Sequence, residues 1–125
     1  MKDLPIVVTN QVKQLESQDP QALVAVFDAY GDYLYASATH EGALGYTSAE
    51  LLDMHLAEVV DPAEHRGAYV LRTISVFYTR PIPFSSRLIA KSGARVPVSG
   101  TLRHIRADSG VRYFITCVRA AADAS

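Results

Sequence analysis

The side chains that most often carry out chemistry are scattered along this chain. The four histidines are His40, His55, His65 and His104. None has a second histidine or a cysteine at the spacing of a zinc site. The sequence contains no Gly-x-Ser-x-Gly, no His-Glu-x-x-His and no phosphate-binding glycine loop. The glutamates of the predicted helices fit a solvated face. The residues therefore favour a binding or interaction function over an enzyme.

Length, composition and charge indicate a small folded protein. The chain has 125 residues, of which 49% are apolar and 20% charged, which is typical of one domain. Its net charge of −1 at pH 7 gives no general attraction to nucleic acid or to an anionic membrane. No apolar run approaches the roughly 18 residues that span a bilayer. The single cysteine, Cys117, has no partner for an internal disulfide, so the sequence predicts a cytoplasmic protein.

An amphipathic helix is predicted within residues 1–20. Val8, Val12 and Leu15 fall on one helical stripe, and Asp19-Pro20 ends it. A helix this short is marginal in isolation. It therefore lies either on the sheet of its own domain or on a second chain in a dimer, and the sequence leaves both alternatives open.

Two strands, several helices and three further strands follow. Strands are predicted over residues 23–28 and 33–37, and helical segments over 39–44 and 48–60. The longest predicted helix covers residues 64–79, before two prolines. Its predicted apolar face consists of Tyr69, Val70, Thr73, Ile74 and Phe77. The last three strands are predicted over residues 84–90, 95–106 and 111–119. This order predicts an α+β fold with a five-stranded antiparallel sheet, helices packed on one face and an N-terminal helical cap.

The last predicted strand is apolar on both sides. Phe114, Thr116 and Val118 point one way, and Tyr113, Ile115 and Cys117 point the other way. A strand with one face in water would alternate with polar residues. We therefore expect both faces of the sheet to be covered here.

Four short motifs follow one another at characteristic spacings. The first is Phe27-Asp28-Ala29-Tyr30-Gly31, a strand that enters an Asp-x-x-Gly turn. The second is Leu44-Gly45-Tyr46 with Ser48-Ala49-Glu50-Leu51-Leu52, and the third is Val59-Val60-Asp61-Pro62-Ala63-Glu64 at the start of the long helix. The fourth is Arg87-Leu88-Ile89-Ala90-Lys91-Ser92-Gly93, a hairpin. In this order they resemble the PAS domain, a small sensor and interaction module, over residues 22–119.

The resemblance implies a PAS-like domain of residues 21–120, with residues 1–20 as the cap helix. Residues 121–125 are then a tail or the start of a linker. Two positions depart from the family pattern. Ser37 stands where the family usually has Asn, and Ala120-Ala121-Ala122 stands where an Asp-Ile-Thr motif often leads into the next domain. The second departure argues against the usual C-terminal output.

The resemblance also limits the cofactors. Flavin-adduct photosensors need a cysteine in the helices after the second strand, and residues 38–79 contain none. The same absence excludes a thioester-linked chromophore, and Cys117 fits a buried small apolar residue. Haem-binding members use a histidine of the long helix, which leaves haem as an alternative with His65 as axial ligand. Otherwise no metal is predicted and no cofactor is required.

A pocket between the long helix and the sheet is implied by the same resemblance, and such pockets are mostly apolar with a few polar groups. Its predicted lining is Tyr35, Met54, Tyr69, Ile74, Phe77, Phe84, Leu88, Leu102, Phe114 and Thr116, with Val98 and Ser86 as further candidates. The sequence does not distinguish a ligand pocket from a core that is filled by these side chains.

The resulting hypothesis is a cytoplasmic, signal-sensing PAS domain of a bacterial signalling or transcription-regulatory protein. It binds a small apolar molecule and relays the bound state through a homodimer. The predicted dimer surface is the outer sheet face with the N-terminal helix, through Val8, Val12, Leu15, Tyr113 and Ile115. The alternatives are a ligand-free dimerisation module and a haem gas sensor.

Overall fold

The computed structural model describes residues 3–121, which form a five-stranded antiparallel sheet with helices on both of its faces. Along the chain the elements are α1 (Ile6–Gln18), β1 (Leu23–Phe27), β2 (Tyr33–Ala36), α2 (Thr39–Leu44), α3 (Ser48–Leu51), α4 (Leu56–Val59), a 3-10 turn (Pro62–Glu64), α5 (His65–Ser75), β3 (Ile82–Ile89), β4 (Arg95–Arg106) and β5 (Arg112–Ala120). The predicted α+β class and the five-stranded antiparallel sheet are confirmed. Residues 122–125 of the predicted tail lie outside the described residues.

The strand order is β2-β1-β5-β4-β3. This order places β1, β5 and β4 in the interior of the sheet, with β5 at its centre, and all five residues of β1 are buried. Strand β3 lies at an edge, where Pro83 is tolerated because no further strand requires its missing N–H. The first and last strands of the chain are therefore the ones that most need cover on both faces.

Strand β5 contributes alternate side chains to two separate clusters, as its sequence predicts. On one face, Phe114 packs with residues of α2, α3 and α4. On the other face, Ile115 packs beneath α1, with Tyr113 and Cys117 beside it. Both faces of the sheet are thus covered within one chain.

Helix α1 covers the outer face of its own sheet, which was one of the two alternatives. Val8 and Val12 are buried there. Three polar contacts fix the helix: the hydroxyl of Tyr35 donates to Glu16 Oε2 at 2.6 Å, Arg103 donates to Gln11 Oε1 at 2.9 Å, and Arg119 pairs with Asp19 beyond the helix end.

The side chains predicted to form a dimer interface are therefore occupied within the chain. Val8, Val12 and Ile115 are buried, and Leu15 and Tyr113 pack partly buried against the same cluster. A second chain has no access to the first three while α1 stays in place. The sequence left both alternatives open because a stripe on a helix does not say whether its own sheet or another chain covers it, and homodimerisation itself stays a prediction.

The boundaries of the helices follow local signals. The Thr47 hydroxyl accepts from the Glu50 N–H, and the Glu50 carboxylate accepts from the Thr47 N–H, which forms a capping box at the start of α3. Gly45, with φ of 84°, ends α2. Helix α5 ends at Ser75, four residues before the predicted end, since the chain must leave the helix before Pro81.

Gly100 marks the closest approach between strands β4 and β5. A Cβ at this position would collide with the carbonyl oxygen of Cys117 and stand 2.7 Å from Cα of Val118. We expect Gly100→Ala to lower the free energy of unfolding by about 2 kcal/mol or more, because the central backbone must shift. Urea unfolding followed by circular dichroism measures this change.

Gly42→Ala is the matched control. Gly42 lies in α2, and a Cβ there would meet nothing within 4 Å. This change should stabilise the protein by roughly 0.5–1 kcal/mol, as expected for glycine to alanine in a helix. An equally stable Gly100→Ala variant would contradict the close packing of these strands.

Candidate functional site

A cavity of about 270 Å³ lies between α5 and the sheet. Its floor comes from all five strands, with Tyr33 as the contribution of β2, and its cover comes from the inward face of α5 with parts of α2 and α4. The lining residues are Leu23, Ala25, Phe27, Tyr33, His40, Leu56, Val60, Glu64, Gly67, Ala68, Leu71, Arg72, Phe84, Ser85, Ser86, Leu88, Val98, Leu102, Phe114, Thr116 and Val118. The wall is largely apolar, which is the usual character of a small-molecule site.

The structure places the predicted sheet residues at this cavity. Phe84 and Leu88 of β3, Leu102 of β4, and Phe114 and Thr116 of β5 all line it. The further candidates, Ser86 and Val98, line it as well. Met54 packs against the neighbouring core cluster and does not reach the cavity wall.

Helix α5 turns inward a different face from the predicted one. Tyr69, Ile74 and Phe77 point to solvent, and Phe77 is 80% exposed. The residues at the cavity are instead Gly67, Ala68, Leu71 and Arg72. The three larger side chains are thus corrected from cavity lining to surface. Periodicity correctly identified an apolar face of the helix. However, α5 carries apolar residues on two faces, and the face with the smaller apolar side chains is the one that packs against the sheet.

Tyr35 is also corrected from cavity lining to the outer face. Val26 pairs with Tyr35 and Phe27 pairs with Tyr33, so Leu34 is an extra residue in the ladder between β1 and β2. A bulge of this kind reverses the alternation of side chains. Tyr33 therefore points to the cavity and Tyr35 to α1, a switch that no local sequence signal reveals.

The cavity exists because α5 approaches the sheet with small side chains. Gly67 and Ala68 contribute little volume opposite the aromatic rings of Phe84 and Phe114. Had Tyr69 or Phe77 faced inward, the same space would be filled. The structure thus has a cavity where the sequence also allowed a filled core, and the binding of a ligand there stays a prediction.

Two titratable side chains of the wall are uncharged at neutral pH. Burial raises the pKa of Tyr33 well above its usual value, so its hydroxyl stays protonated. Burial lowers the pKa of His40, although a backbone hydrogen bond opposes this effect. His40 Nδ1 lies 2.9 Å from the carbonyl oxygen of Ser37, which can only accept, so Nδ1 carries the proton.

Two side chains of the wall are charged. Glu64 is paired, because Arg87 donates to Glu64 Oε1 from Nε at 3.3 Å and from Nη2 at 3.1 Å. Arg72 lies two helical turns further along α5 and has no carboxylate within 4.0 Å among residues 3–121. No sequence pattern points to Arg72, since a lone arginine on a helix forms no motif.

The other candidates for chemistry lie apart from the cavity. His65 is half-buried at the start of α5, and its Nε2 donates to the carbonyl of Val60 at 2.9 Å. Haem ligation through that nitrogen would require breaking this bond. Cys117 packs beside the outer cluster, and burial raises the pKa of its thiol, which lowers its reactivity.

Searches for a metal site and for a membrane span found neither in the described part of the chain. No group of three or more His, Cys, Asp and Glu side chains within residues 3–121 is arranged to hold a metal ion. Among the same residues, no helix combines the length and the apolar character that crossing a bilayer requires.

Solved structures of PAS domains are similar to this chain over most of its length. The PAS domain of a two-component sensor histidine kinase matches with a TM-score of 0.69 and 18% identity, over 94% of this chain and 100% of that one. A PAS domain from Colwellia psychrerythraea matches with a TM-score of 0.75 and 12% identity, over 92% and 97%. A variant PAS-B domain of Drosophila melanogaster Cycle with bound glycerol matches with a TM-score of 0.71 and 11% identity, over 79% and 99%.

These similarities confirm the predicted resemblance at the level of the fold. No protein-family model matches the sequence, and no curated protein is similar enough to serve as a relative. At identities below 20%, what the chain shares with the solved structures is its architecture.

The buried His40 predicts a loss of stability in mild acid. Its pKa is lowered in the folded state, so between that value and about 6.5 the unfolded chain binds more protons. We therefore expect the free energy of unfolding to fall as pH drops from 7 to 5. Urea unfolding at several pH values measures this slope, which should be smaller in His40→Asn.

His104→Asn serves as the comparison. The pKa of His104 is also lowered, by partial burial and then by Arg112 and Arg106, but this ring is closer to solvent. His104 should therefore account for a smaller part of the decrease in the free energy of unfolding between pH 7 and pH 5. The paired carboxylates of Asp19, Glu50 and Asp61 also have lowered pKa values. Their contribution to stability is lost only in stronger acid, where they become protonated. An unchanged slope in His40→Asn would contradict this assignment.

Proposed function

We propose that this chain, which has the PAS fold, is a signal-sensing domain that binds a small apolar molecule in the cavity beneath α5. The observation that carries the proposal is the cavity itself, enclosed by apolar side chains of all five strands and by the small residues of α5. An apolar space of this size inside a small domain costs stability when it is empty, because its lining loses packing contacts. A ligand that fills it recovers those contacts.

Ligand binding acts on α5 and on the central strands together. The ligand contacts Ala68 and Leu71 on one side and Phe114 and Thr116 on the other. Strand β5 also carries Ile115, on which α1 packs from the opposite face. A ligand that favours one position of α5 therefore also affects β5 and, through it, the packing of α1. Such an effect is a shift between populations of pre-existing states.

The comparisons support a sensory role and supply no further detail. PAS domains are generally sensory modules rather than enzymes, and one similar structure belongs to a sensor histidine kinase. Another, the Cycle PAS-B domain, is described with bound glycerol. By this analogy the chain serves as the regulatory part of a signalling or transcription-regulatory protein.

Filling the cavity should abolish ligand binding. Ala68 lies half-buried on the inward face of α5, so Ala68→Leu places a larger side chain in the cavity. We expect native mass spectrometry of the protein purified from cells to show an added mass that disappears on denaturation. The Ala68→Leu variant should lack this mass.

Ala57→Leu is the control, because Ala57 is exposed on α4 and does not line the cavity. It should retain the added mass. A chain mass without addition, together with no thermal stabilisation by any compound of a small apolar library, would overturn the sensing proposal.

A second candidate function is that of a dimerisation module without a ligand. The specific observation is a stripe of exposed apolar side chains along the outward face of α5 and the turn after it. We name this the α5 stripe, and it consists of Tyr69, Val70, Ile74, Phe77 and Tyr78. Contiguous exposed apolar surface of this kind is typical of interaction sites.

A second copy of the chain fits the α5 stripe. A two-fold pairing of α5 helices would place the exposed apolar side chains of this stripe against the same residues of the second copy. An isologous pairing is self-complementary. This proposal retains the predicted homodimer but places its interface on α5 instead of α1.

Phe77→Ser tests this dimer. Phe77 is 80% exposed, so its removal should leave the folding stability almost unchanged. We expect sedimentation equilibrium to show a dimer for the wild type and at least a tenfold weaker association for Phe77→Ser. The comparison variant is Ile6→Ser, since Ile6 is 77% exposed on α1 and should leave the dimer intact. A monomeric wild type, or a dimer that only Ile6→Ser weakens, would overturn this surface.

A further inference from the structure

Arg72 is the cavity residue whose charge is left unbalanced. Of the charged side chains in the wall, Glu64 is neutralised by two hydrogen bonds from Arg87, whereas no carboxylate among residues 3–121 lies within 4.0 Å of the Arg72 guanidinium. No hydrogen bond from this guanidinium is formed within the same residues. The cavity wall is otherwise apolar or uncharged, so it carries one net positive charge.

Arg72 lines the cavity from α5, and its side chain extends to the turn between β1 and β2. There Nη1 lies 3.1 Å from the position that a Cβ of Gly31 would take. This contact places the guanidinium beside the turn. Arg72 is half-buried there, so its charge is only partly hydrated.

The neighbours of Arg72 do not supply the missing negative charge. His55 Nε2 lies beside the same glycine, but it donates to the carbonyl of Tyr30 while Nδ1 accepts from the N–H of Ala57, which is the pattern of a neutral ring. In the turn itself, Asp28 Oδ1 accepts the N–H groups of Tyr30 and Asp32. Its oxygen thus closes the turn and does not approach Arg72.

We infer that the ligand of this cavity is a small carboxylic acid, with its carboxylate on Arg72 and its apolar body between α5 and the sheet. The inference rests on the proposed sensing function and specifies the chemical class of its ligand. A guanidinium offers a planar fork of N–H donors that matches a carboxylate in two parallel hydrogen bonds. A ligand amine would meet an unbalanced positive charge instead.

The shape of the cavity sets the size of this acid. The volume of about 270 Å³ lies near the lower end of the range for small-molecule sites, so the acid is a small one. Arg72 and Glu64 are eight residues apart on the helical path, which is about 12 Å along the axis. A medium-chain fatty acid or a small aromatic acid fits these limits, with its tail pointing toward Val60 and Leu88.

The test compares two probes that differ only at the head group, sodium octanoate and 1-octanol. Isothermal titration calorimetry at pH 7.5 measures their affinities, since octanoate is ionised there. We expect octanoate to bind the wild type at least tenfold more tightly than 1-octanol, because a hydrogen bond to a charged group adds to the same apolar contacts. In Arg72→Gln this preference should vanish, while the affinity for 1-octanol stays unchanged.

Arg66→Gln is the matched control, since Arg66 lies on the outward face of α5 and should leave both affinities unchanged. Arg72→Lys keeps the charge without the fork and should retain part of the preference. Circular dichroism checks that each variant is folded. If Arg72→Gln fails to fold, the wild type still decides, because octanoate binding must weaken with added salt more than 1-octanol binding does.

The outcomes separate this inference from the sensing proposal. Equal binding of both probes to the wild type, with both lost in Ala68→Leu, would overturn the carboxylate inference and leave the sensing cavity intact. A preference for octanoate that persists in Arg72→Gln would also overturn it. Binding of neither probe would overturn the inference, and a chain mass without any bound molecule would then overturn the sensing proposal as well.

Discussion

The structure depends on burying both faces of strands β1 and β5. Strand β1 is buried along its whole length, and β5 alternates between two apolar clusters. Apolar surface on both sides of a sheet is stable only when each side is covered. Helix α1 supplies one cover and the group from α2 to α5 supplies the other. The buried inner face of α1 and the cavity beneath α5 both follow from how these two covers fit.

The two covers differ in how tightly they pack. Beneath α1, valines interdigitate with β1 and β5, and polar contacts at Glu16 and Gln11 fix the helix. Beneath α5, the small side chains of Gly67 and Ala68 leave space over the aromatic floor. Since protein interiors are normally close-packed, a space of this size is the feature on which the proposed ligand binding rests.

Arg72, the arginine of the cavity wall, extends from α5 to the turn between β1 and β2. On the opposite surface the same helix exposes its larger apolar residues. The proposed ligand at Arg72 and the proposed partner at the α5 stripe would therefore contact opposite faces of one helix. A shared helix of this kind is a route by which binding at one site affects the other.

Local patterns in the sequence determined the class of fold, the order of its elements, the two-sided β5 and the capping box at Thr47 and Glu50, because each depends on neighbours in the chain. The resemblance to the PAS domain also identified the sheet residues of the cavity, Phe84, Leu88, Leu102, Phe114 and Thr116. Only the tertiary structure decided which face of α5 turns inward, since both faces carry apolar residues. It alone revealed the bulge that turns Tyr33, instead of Tyr35, toward the cavity. It also showed that α1 packs on its own sheet and that the charge of Arg72 has no carboxylate partner among residues 3–121. These features depend on packing between distant segments, which periodicity does not encode.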